Sequence, residues 1–101
     1  MIHAEISIYP IGTSTTSASF YIAKAIESIK DMKVSYHVNA MGTILESNNI
    51  EEIYKAAKSM MEVVHNLGVN RVEVILKIDS RNDKQKTIQQ KIDAINKYLK
   101  E

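Results

Sequence analysis

Two short segments carry the glycine, hydroxyl and carboxylate groups that a small-molecule site would need. In the first, Gly12 precedes five consecutive hydroxyl residues, Thr13–Ser17, which lead into a segment with helical spacing of apolar residues. Backbone N–H groups at the start of a helix, together with the helix dipole, favour an anion or a hydrogen-bonding ligand. The Gly-Lys pair of a nucleotide-binding loop is absent. The segment therefore indicates either a ligand site or a helix start capped by one hydroxyl, with the others solvated.

The second segment, Met41–Glu46, lies where two predicted strands meet. Gly42 would admit close approach of a ligand to the backbone, while Thr43 and Glu46 offer a hydroxyl and a carboxylate. This set is typical of a pocket wall, although a plain hairpin turn explains the same residues. Farther along, Lys77–Lys84 alternates in charge, which suits a solvated loop with weak surface ion pairs or a contact with a ligand or second subunit.

The residues that catalysis or metal binding would require do not form a recognisable pattern. None of the pairs among His3, His37 and His65 has the spacing of a zinc site. No Gly-x-Ser-x-Gly turn is present, and no serine, histidine and aspartate triad can be assembled with any specificity. Because the chain has no cysteine, thiolate metal sites, disulfides and a cysteine nucleophile are excluded. We therefore predict a protein that is not an enzyme and holds no metal.

Composition narrows the class further. The chain has 101 residues, 45% of them hydrophobic and 25% charged, which predicts one folded domain spanning residues 1–101. With 13 basic and 12 acidic residues and a net charge of +1, it lacks the basic surplus that nonspecific nucleic-acid binding draws on. We see no signal peptide and no apolar run long enough to span a bilayer, so we expect a cytoplasmic protein without a membrane partner.

Hydrophobic periodicity predicts four strands and three helices. Period two predicts strands at Ile2–Ile11, Val34–Ala40, Thr43–Glu46 and from Val72 to Ile78, and helical spacing predicts helices at Ser17–Lys30, between an Asn49 cap and Gly68, and around Ile88–Leu99. The hydroxyl run should cap the first helix. The middle strands should form a hairpin with Met41-Gly42 as its turn, although one strand with a bulge at Gly42 explains the same residues. The order βαββαβ plus a C-terminal helix predicts an α+β, ferredoxin-like fold.

This topology predicts one buried and one open sheet face. We expect a core that contains Ile6, Ile22, Ile26, Tyr54, Ala57, Val74 and Leu76. The helices should cover the Ile6/Val74 face only, and the open face should carry Ser7, Tyr9, Ser35, His37, Glu73, Ile75 and Lys77. Because that face is half apolar and the chain is small, we expect it to be a subunit interface.

RNA-recognition domains share this topology, but they stack bases on aromatic residues of the two central strands. The first strand offers Tyr9, and the fourth strand, from Val72 to Ile78, has no aromatic residue. We therefore predict no nucleic-acid partner.

Several segments together resemble the small thiamine-binding proteins of about 100 residues, which are single-domain relatives of tandem-domain proteins that bind thiamine and hydroxymethylpyrimidine. The resemblance rests on Glu5–Gly12, on Tyr36–Glu46 with Ala40-Met41-Gly42-Thr43 inside it, and on Arg71–Lys84 with its Lys77–Arg81 stretch. It covers nearly the whole chain with the segments in the right order. It implies a ferredoxin-like fold, a homotetramer built from dimers, binding of thiamine through its pyrimidine, and no catalysis or cofactor beyond that ligand.

The resemblance favours a pocket built from the N-terminus of the first helix and the Met41–Glu46 segment. An aminopyrimidine presents an amine donor beside ring acceptors, so a carboxylate and hydroxyl or N–H groups can recognise it. Glu46 is the expected acceptor for the amine, and Thr43 and Ser17 are expected at the ring nitrogens. The candidate ligand-binding residues are Gly12, Ser14, Ser17, Tyr21, Tyr36, Met41, Gly42, Thr43, Glu46 and Arg81. The alternatives are an assembly module without a small ligand and an enzyme of unknown reaction.

Overall fold

The computed structural model describes residues 1–99. Within them lie strands β1 (Ile2–Ile11), β2 (Ser35–Asn39), β3 (Gly42–Ser47) and β4 (Arg71–Ser80), and helices α1 (Ser19–Glu27), α2 (Ile50–Asn66) and α3 (Ile88–Asn96). The strands form one antiparallel sheet in the order β2-β3-β1-β4. The predicted α+β, ferredoxin-like fold is confirmed, and no helix of residues 1–99 has the length and apolar character needed to cross a bilayer.

β1 is the strand on which the sheet is built. It pairs with β4 along all ten of its residues, from Ile2 opposite Ser80 to Ile11 opposite Arg71. On its other side it pairs with β3 only from Ile2 to Ile6. The alternation of Ile2–Ile11 that predicts this strand places Ile6 and Ile8 in the core, where both are buried.

Helices α1 and α2 cover the core face of the sheet, and α2 contacts β1, β3 and β4. The residues that α2 buries are Ile53, Ala56, Met60 and Val64. The predicted core placement of Tyr54 is therefore wrong: this side chain is 50% exposed. The buried stripe lies one residue earlier in the helix, because Ile53 rather than Tyr54 faces the sheet. Five predicted core positions do contribute: Ile6 is buried, and Ile26, Ala57, Val74 and Leu76 pack against the core as partly buried residues. Ile22 is partly buried but is not one of the residues packed against the core cluster.

The start of α1 differs from the prediction. The helix begins at Ser19 after Ala18, which makes no side-chain cap hydrogen bond. The preceding hydroxyls instead serve their own loop, because Thr13 Oγ1 donates to the Thr15 carbonyl at 2.7 Å and Thr15 Oγ1 accepts from the Ser17 N–H at 3.1 Å. Such local bonds compete with helix formation, which explains why the predicted start at Ser17 is two residues early.

The ends of α2 agree with the sequence signals. The Asn49 side chain accepts a hydrogen bond from the Glu51 N–H at 3.0 Å, as expected of an N-cap. Gly68 follows the helix with a φ of +97°, the left-handed conformation that glycine adopts readily after a helix. These two residues mark where α2 begins and ends.

The β2–β3 hairpin turns through Ala40 and Met41, and Asn39 pairs with Gly42. Gly42 is therefore the first residue of β3 rather than part of the turn. A Cβ at this position would lie 3.2 Å from the Ile6 carbonyl oxygen, 3.2 Å from Glu5 Cγ and 3.1 Å from Ser7 Oγ. The absence of a side chain thus allows the hairpin to approach β1 closely.

Helix α3 lies at one end of the sheet face opposite α1 and α2, so the prediction that helices cover one face only is wrong. Two polar contacts attach it: the Ile88 N–H donates to Glu46 Oε2 at 2.9 Å, and Lys91 Nζ donates to Asp79 Oδ2 at 2.5 Å. The helix buries no residue of its own. Its position follows from these contacts, which hydrophobic periodicity does not reveal.

We expect Gly42→Ala to destabilise the protein by about 1–3 kcal/mol, because the added methyl group meets the backbone of the neighbouring strand and must push the hairpin outwards. Urea unfolding followed by circular dichroism measures the change. Met41→Ala is the matched control: Met41 is 84% exposed, so its truncation should change stability by less than about 0.5 kcal/mol. Equal stability of Gly42→Ala and the wild type would contradict the proposed role of Gly42.

The contact of α3 with Asp79 should be visible in a titration. The hydrogen bond from Lys91, and then its positive charge, lower the pKa of Asp79 from its ordinary 3.8. A lowered carboxyl pKa contributes stability above the unfolded pKa, and that contribution is lost as the pH falls through the folded pKa. We expect Lys91→Met to raise the pKa of Asp79 towards the ordinary value in a carboxyl-carbon NMR titration. Lys84→Met is the control, and an equal shift in both variants would refute the contact.

Candidate functional site

A cleft of about 190 Å³ opens beside β1 where the β2–β3 hairpin ends. Its walls come from β1, from the hairpin, from the first turn of α1 and from Met60 of α2. The lining residues are Ile6, Ser7, Ile8, Tyr9, Ala18, Ile22, Asn39, Ala40, Met41, Gly42, Thr43 and Met60. The site thus joins the start of the first helix to the Met41–Thr43 part of the predicted second segment.

Unequal strand pairing creates this cleft. The β3 partner of β1 ends at Ile6, but β1 continues to Ile11. Beyond Ile6, the side of β1 that would face β3 therefore has no strand partner within residues 1–99. The backbone N–H and C=O groups that point to that side border the cleft and can bond a ligand as a sheet edge bonds a neighbouring strand.

Most of the cleft surface is apolar, with a few polar groups. Asn39 offers an amide and Thr43, which is 3% exposed, offers a hydroxyl, while Ser7 Oγ already donates to the Met41 carbonyl at 3.1 Å. Because Ala18 does not cap α1, the first N–H groups of that helix receive no bond from the N-cap side chain. An apolar cleft with a few directional polar groups is the usual character of a small-molecule site.

Among residues 1–99, no aspartate, glutamate, lysine, arginine or histidine lines the cleft. The site therefore suits an uncharged group. Within residues 1–99 there is also no cluster of three or more histidine, aspartate or glutamate side chains that could hold a metal ion.

A second cleft, of about 490 Å³, lies on the β4 side of β1 between the β1–α1 loop and the α2–β4 connection. It is lined by Gly12, Ser14 and Tyr21 of the predicted set, together with Ile11, Thr13, Leu67, Gly68, Val69, Asn70 and Arg71. The predicted residues are thus divided between two clefts, because the loop that follows β1 separates them.

The remaining predicted residues lie elsewhere. Ser17 is in the loop before α1, and Tyr36 pairs with Leu45 on the edge strand; neither is among the residues that line the two clefts. Arg81 follows β4 at the opposite end of the sheet, where it forms two bonds with Asp83 at 2.7 and 3.0 Å. This ion pair raises the pKa of Arg81 and lowers that of Asp83, chiefly through the side-chain hydrogen bond.

Glu46 lies on the other sheet face. Thr43, Leu45 and Ser47 of β3 are buried on the core face, so Glu46 points the opposite way, as alternation in a strand requires. Its Oε2 atom is 2.8 Å from His3 Nε2 and accepts the Ile88 N–H. Within residues 1–99, this carboxylate therefore connects β1, β3 and α3 and does not line the first cleft.

Sequence reasoning missed several residues that line the first cleft, among them Ile8, Asn39 and Met60. Ile8 and Met60 lie in the predicted first strand and second helix, and nothing in their spacing marks them as ligand contacts. The position of the hairpin turn would have indicated Asn39, because a turn at Ala40-Met41, rather than at the predicted Met41-Gly42, pairs Asn39 with Gly42.

Comparison with known proteins agrees with this architecture. A family model described as thiamine-binding protein matches residues 4–96. The UPF0045 protein of Methanothermobacter thermautotrophicus is 38% identical over 99 residues, which cover 98% of this chain and 100% of that protein. The UPF0045 protein MJ1052 of Methanocaldococcus jannaschii is 47% identical over 92 residues, which cover 91% of this chain and 89% of that protein.

Solved structures also match. The crystal structure of MJ1052 superposes with a TM-score of 0.85 at 45% identity, covering 94% of this chain and 95% of that one. A Thermotoga maritima protein, TM0486, described as a candidate thiamine biosynthesis or salvage protein, has the same fold, with a TM-score of 0.76 at 23% identity and coverage of 93% and 97%. By the extent of the family match and of its relatives, this chain belongs to the thiamine-binding protein family.

Proposed function

We propose that the protein binds thiamine, or its hydroxymethylpyrimidine half, in the cleft beside β1 and carries out no chemistry on it. The observation that carries the proposal is an apolar, uncharged cleft bordered by unpaired strand edge in a chain of the thiamine-binding protein family. The protein would serve as a buffer, carrier or regulator of the vitamin in the cytoplasm.

The aminopyrimidine ring suits the groups around the cleft. Its amine needs an acceptor, which a carbonyl on the free side of β1 or the Asn39 amide can supply. Its ring nitrogens need donors, which the Thr43 hydroxyl and the first N–H groups of α1 can supply. Met41 and Met60 offer polarisable thioethers for contact with the ring faces.

The size and charge of the cleft favour one half of thiamine over the other. Its 190 Å³ is below the range of about 300–1,000 Å³ that encloses a larger ligand. The thiazolium ring carries a positive charge, and the lining offers no carboxylate to offset the loss of its hydration. We therefore expect the pyrimidine to enter the cleft and the thiazolium to remain at the solvent side.

Calorimetry with hydroxymethylpyrimidine and thiamine tests the assignment. We expect Thr43→Val, which keeps the shape and removes the hydroxyl, to weaken both ligands about tenfold, because a buried ring nitrogen loses its hydrogen bond. Glu46→Gln is the control, and its affinity should stay within about twofold of the wild type.

The same pair of variants also tests the sequence-based expectation that Glu46 accepts from the amine. Loss of binding in Glu46→Gln with full binding in Thr43→Val would move the site to the other sheet face. Absence of binding of either compound to the wild-type protein would end the thiamine proposal.

We also propose that the protein is a homo-oligomer, a tetramer in its full assembly, that pairs subunits through the part of the open sheet face not covered by α3. Tyr9 is 44% exposed and Ile75 is 61% exposed on that face. Apolar side chains at such positions are typical of subunit interfaces. The family resemblance supports the same assembly.

Analytical ultracentrifugation measures the assembly directly. We expect a mass about four times the 11.4 kDa of the chain at micromolar concentration. Ile75→Glu should reduce the mass, because it would bury a charge at the interface, whereas Val38→Glu, on the opposite face, should leave it unchanged. A wild-type monomer at these concentrations would refute the proposal.

A further inference from the structure

A third cleft, of about 300 Å³, lies between α3 and the sheet face opposite the core. Its floor is formed by His3, Glu5, Ile44, Lys77 and Asp79, and α3 contributes Ile88, Lys91, Ile92 and Ile95. The α3 residues follow helical spacing, so one stripe of that helix faces the cleft. The four isoleucines give it an apolar lining, and α3 covers it on the sheet face opposite α1 and α2.

His3 is the unusual group in this lining. The residue is only 6% exposed, and its Nδ1 atom is buried with no hydrogen-bond partner within residues 1–99. Its other ring nitrogen, Nε2, is 2.8 Å from Glu46 Oε2. An ionised carboxylate can only accept, so this contact places the proton of the neutral imidazole on Nε2. Nδ1 is then a buried acceptor without a donor, which a folded protein rarely tolerates.

The charges around the cleft balance one another, and several of them are paired. Glu46 accepts from His3 and from the Ile88 N–H, Asp79 is bonded to Lys91, and Glu5 and Lys77 lie opposite each other on β1 and β4. Within residues 1–99 the lining thus carries two carboxylates, of Glu5 and Asp79, and two ammonium groups, of Lys77 and Lys91, so it offers a charged ligand no net counter-charge. The lining therefore suits a neutral molecule that has an apolar body and one hydrogen-bond donor.

Access depends on α3. No residue of that helix is buried, Ile92 and Ile95 are 44% and 63% exposed, and the two polar contacts described above attach it to the sheet. Because few apolar contacts hold it, small displacements of α3 are inexpensive. Such a displacement would admit a small molecule between the isoleucines and the ring of His3.

We propose that this cleft is a second binding site, for a small neutral molecule with an apolar body and one N–H or O–H donor that bonds to His3 Nδ1. Glu46 is a positioning residue there, because it fixes the ring and its tautomer. The site is independent of thiamine binding beside β1.

Indole and 1-methylindole form a matched pair of probes, since they share an apolar body and only indole has the N–H donor. We expect indole to bind about tenfold more tightly, because 1-methylindole leaves the buried acceptor unpaired. In protein labelled with ¹⁵N-histidine, indole should shift the His3 Nδ1 resonance, and the free protein should show the proton on Nε2. Ile92→Lys should abolish indole binding, whereas Val38→Lys, on the other sheet face, should not.

Three results would overturn the proposal. Equal affinity for the two indoles, or no binding of either, would show that His3 Nδ1 does not select the ligand. A proton on Nδ1 in the free protein would remove the acceptor. A fall in sedimentation mass in Ile92→Lys, with no effect on indole, would show that a second copy of the chain covers the cleft. Thiamine affinity, measured in the same variants, should not change.

Discussion

The pairing of β1 with two partners of unequal length is the constraint on which the rest of the structure depends. β4 follows β1 for ten residues, whereas β3 leaves it after Ile6. The first interaction anchors the sheet, and the second leaves polar backbone groups without a strand partner beside an apolar wall. A ligand that hydrogen-bonds to those backbone groups and covers that wall would take the place of the missing strand partner.

The glycine at position 42 connects this pairing to the cleft. A side chain there would meet the Ile6 carbonyl and Glu5, so any other residue would hold the hairpin away from β1. With glycine, Asn39 and Thr43 come beside Ile8, although they are far from it in sequence. The close approach of the hairpin to β1 thus contributes both to packing and to the geometry of the cleft. A substitution that weakens this packing should therefore also disturb the cleft.

The opposite sheet face depends on a different interaction. Glu46 bonds to His3 within the sheet and to the first N–H of α3, so one carboxylate both orients a buried ring and attaches the last helix. Helix dipoles favour a negative charge at that position. Because α3 contributes little burial of its own, the polar contacts rather than hydrophobic packing determine where it lies. The two faces of the sheet therefore offer different chemistry, with an uncharged cleft on one and a buried histidine on the other.

The sequence by itself determined the secondary structure and much of the core. Alternation in Ile2–Ile11 gave the central strand with its observed bounds, and Asn49 and Gly68 marked the ends of α2, because these signals act between residues close in the chain. Alternation also required Thr43 and Glu46 to face opposite ways, since an odd separation in a strand reverses the side chain. Placing both in one pocket overlooked that rule.

Only the tertiary structure decided how these elements meet. The point at which β3 leaves β1, the position of α3 and the division of Gly12 and Thr43 between separate clefts depend on contacts between different elements of the fold. The hydroxyl run differs, because hydrogen bonds between residues two positions apart in its own loop, rather than distant contacts, took the groups that suited a helix cap. The sequence determines which groups are present, and the competition among their possible partners in the folded chain determines which of them remain free for a ligand.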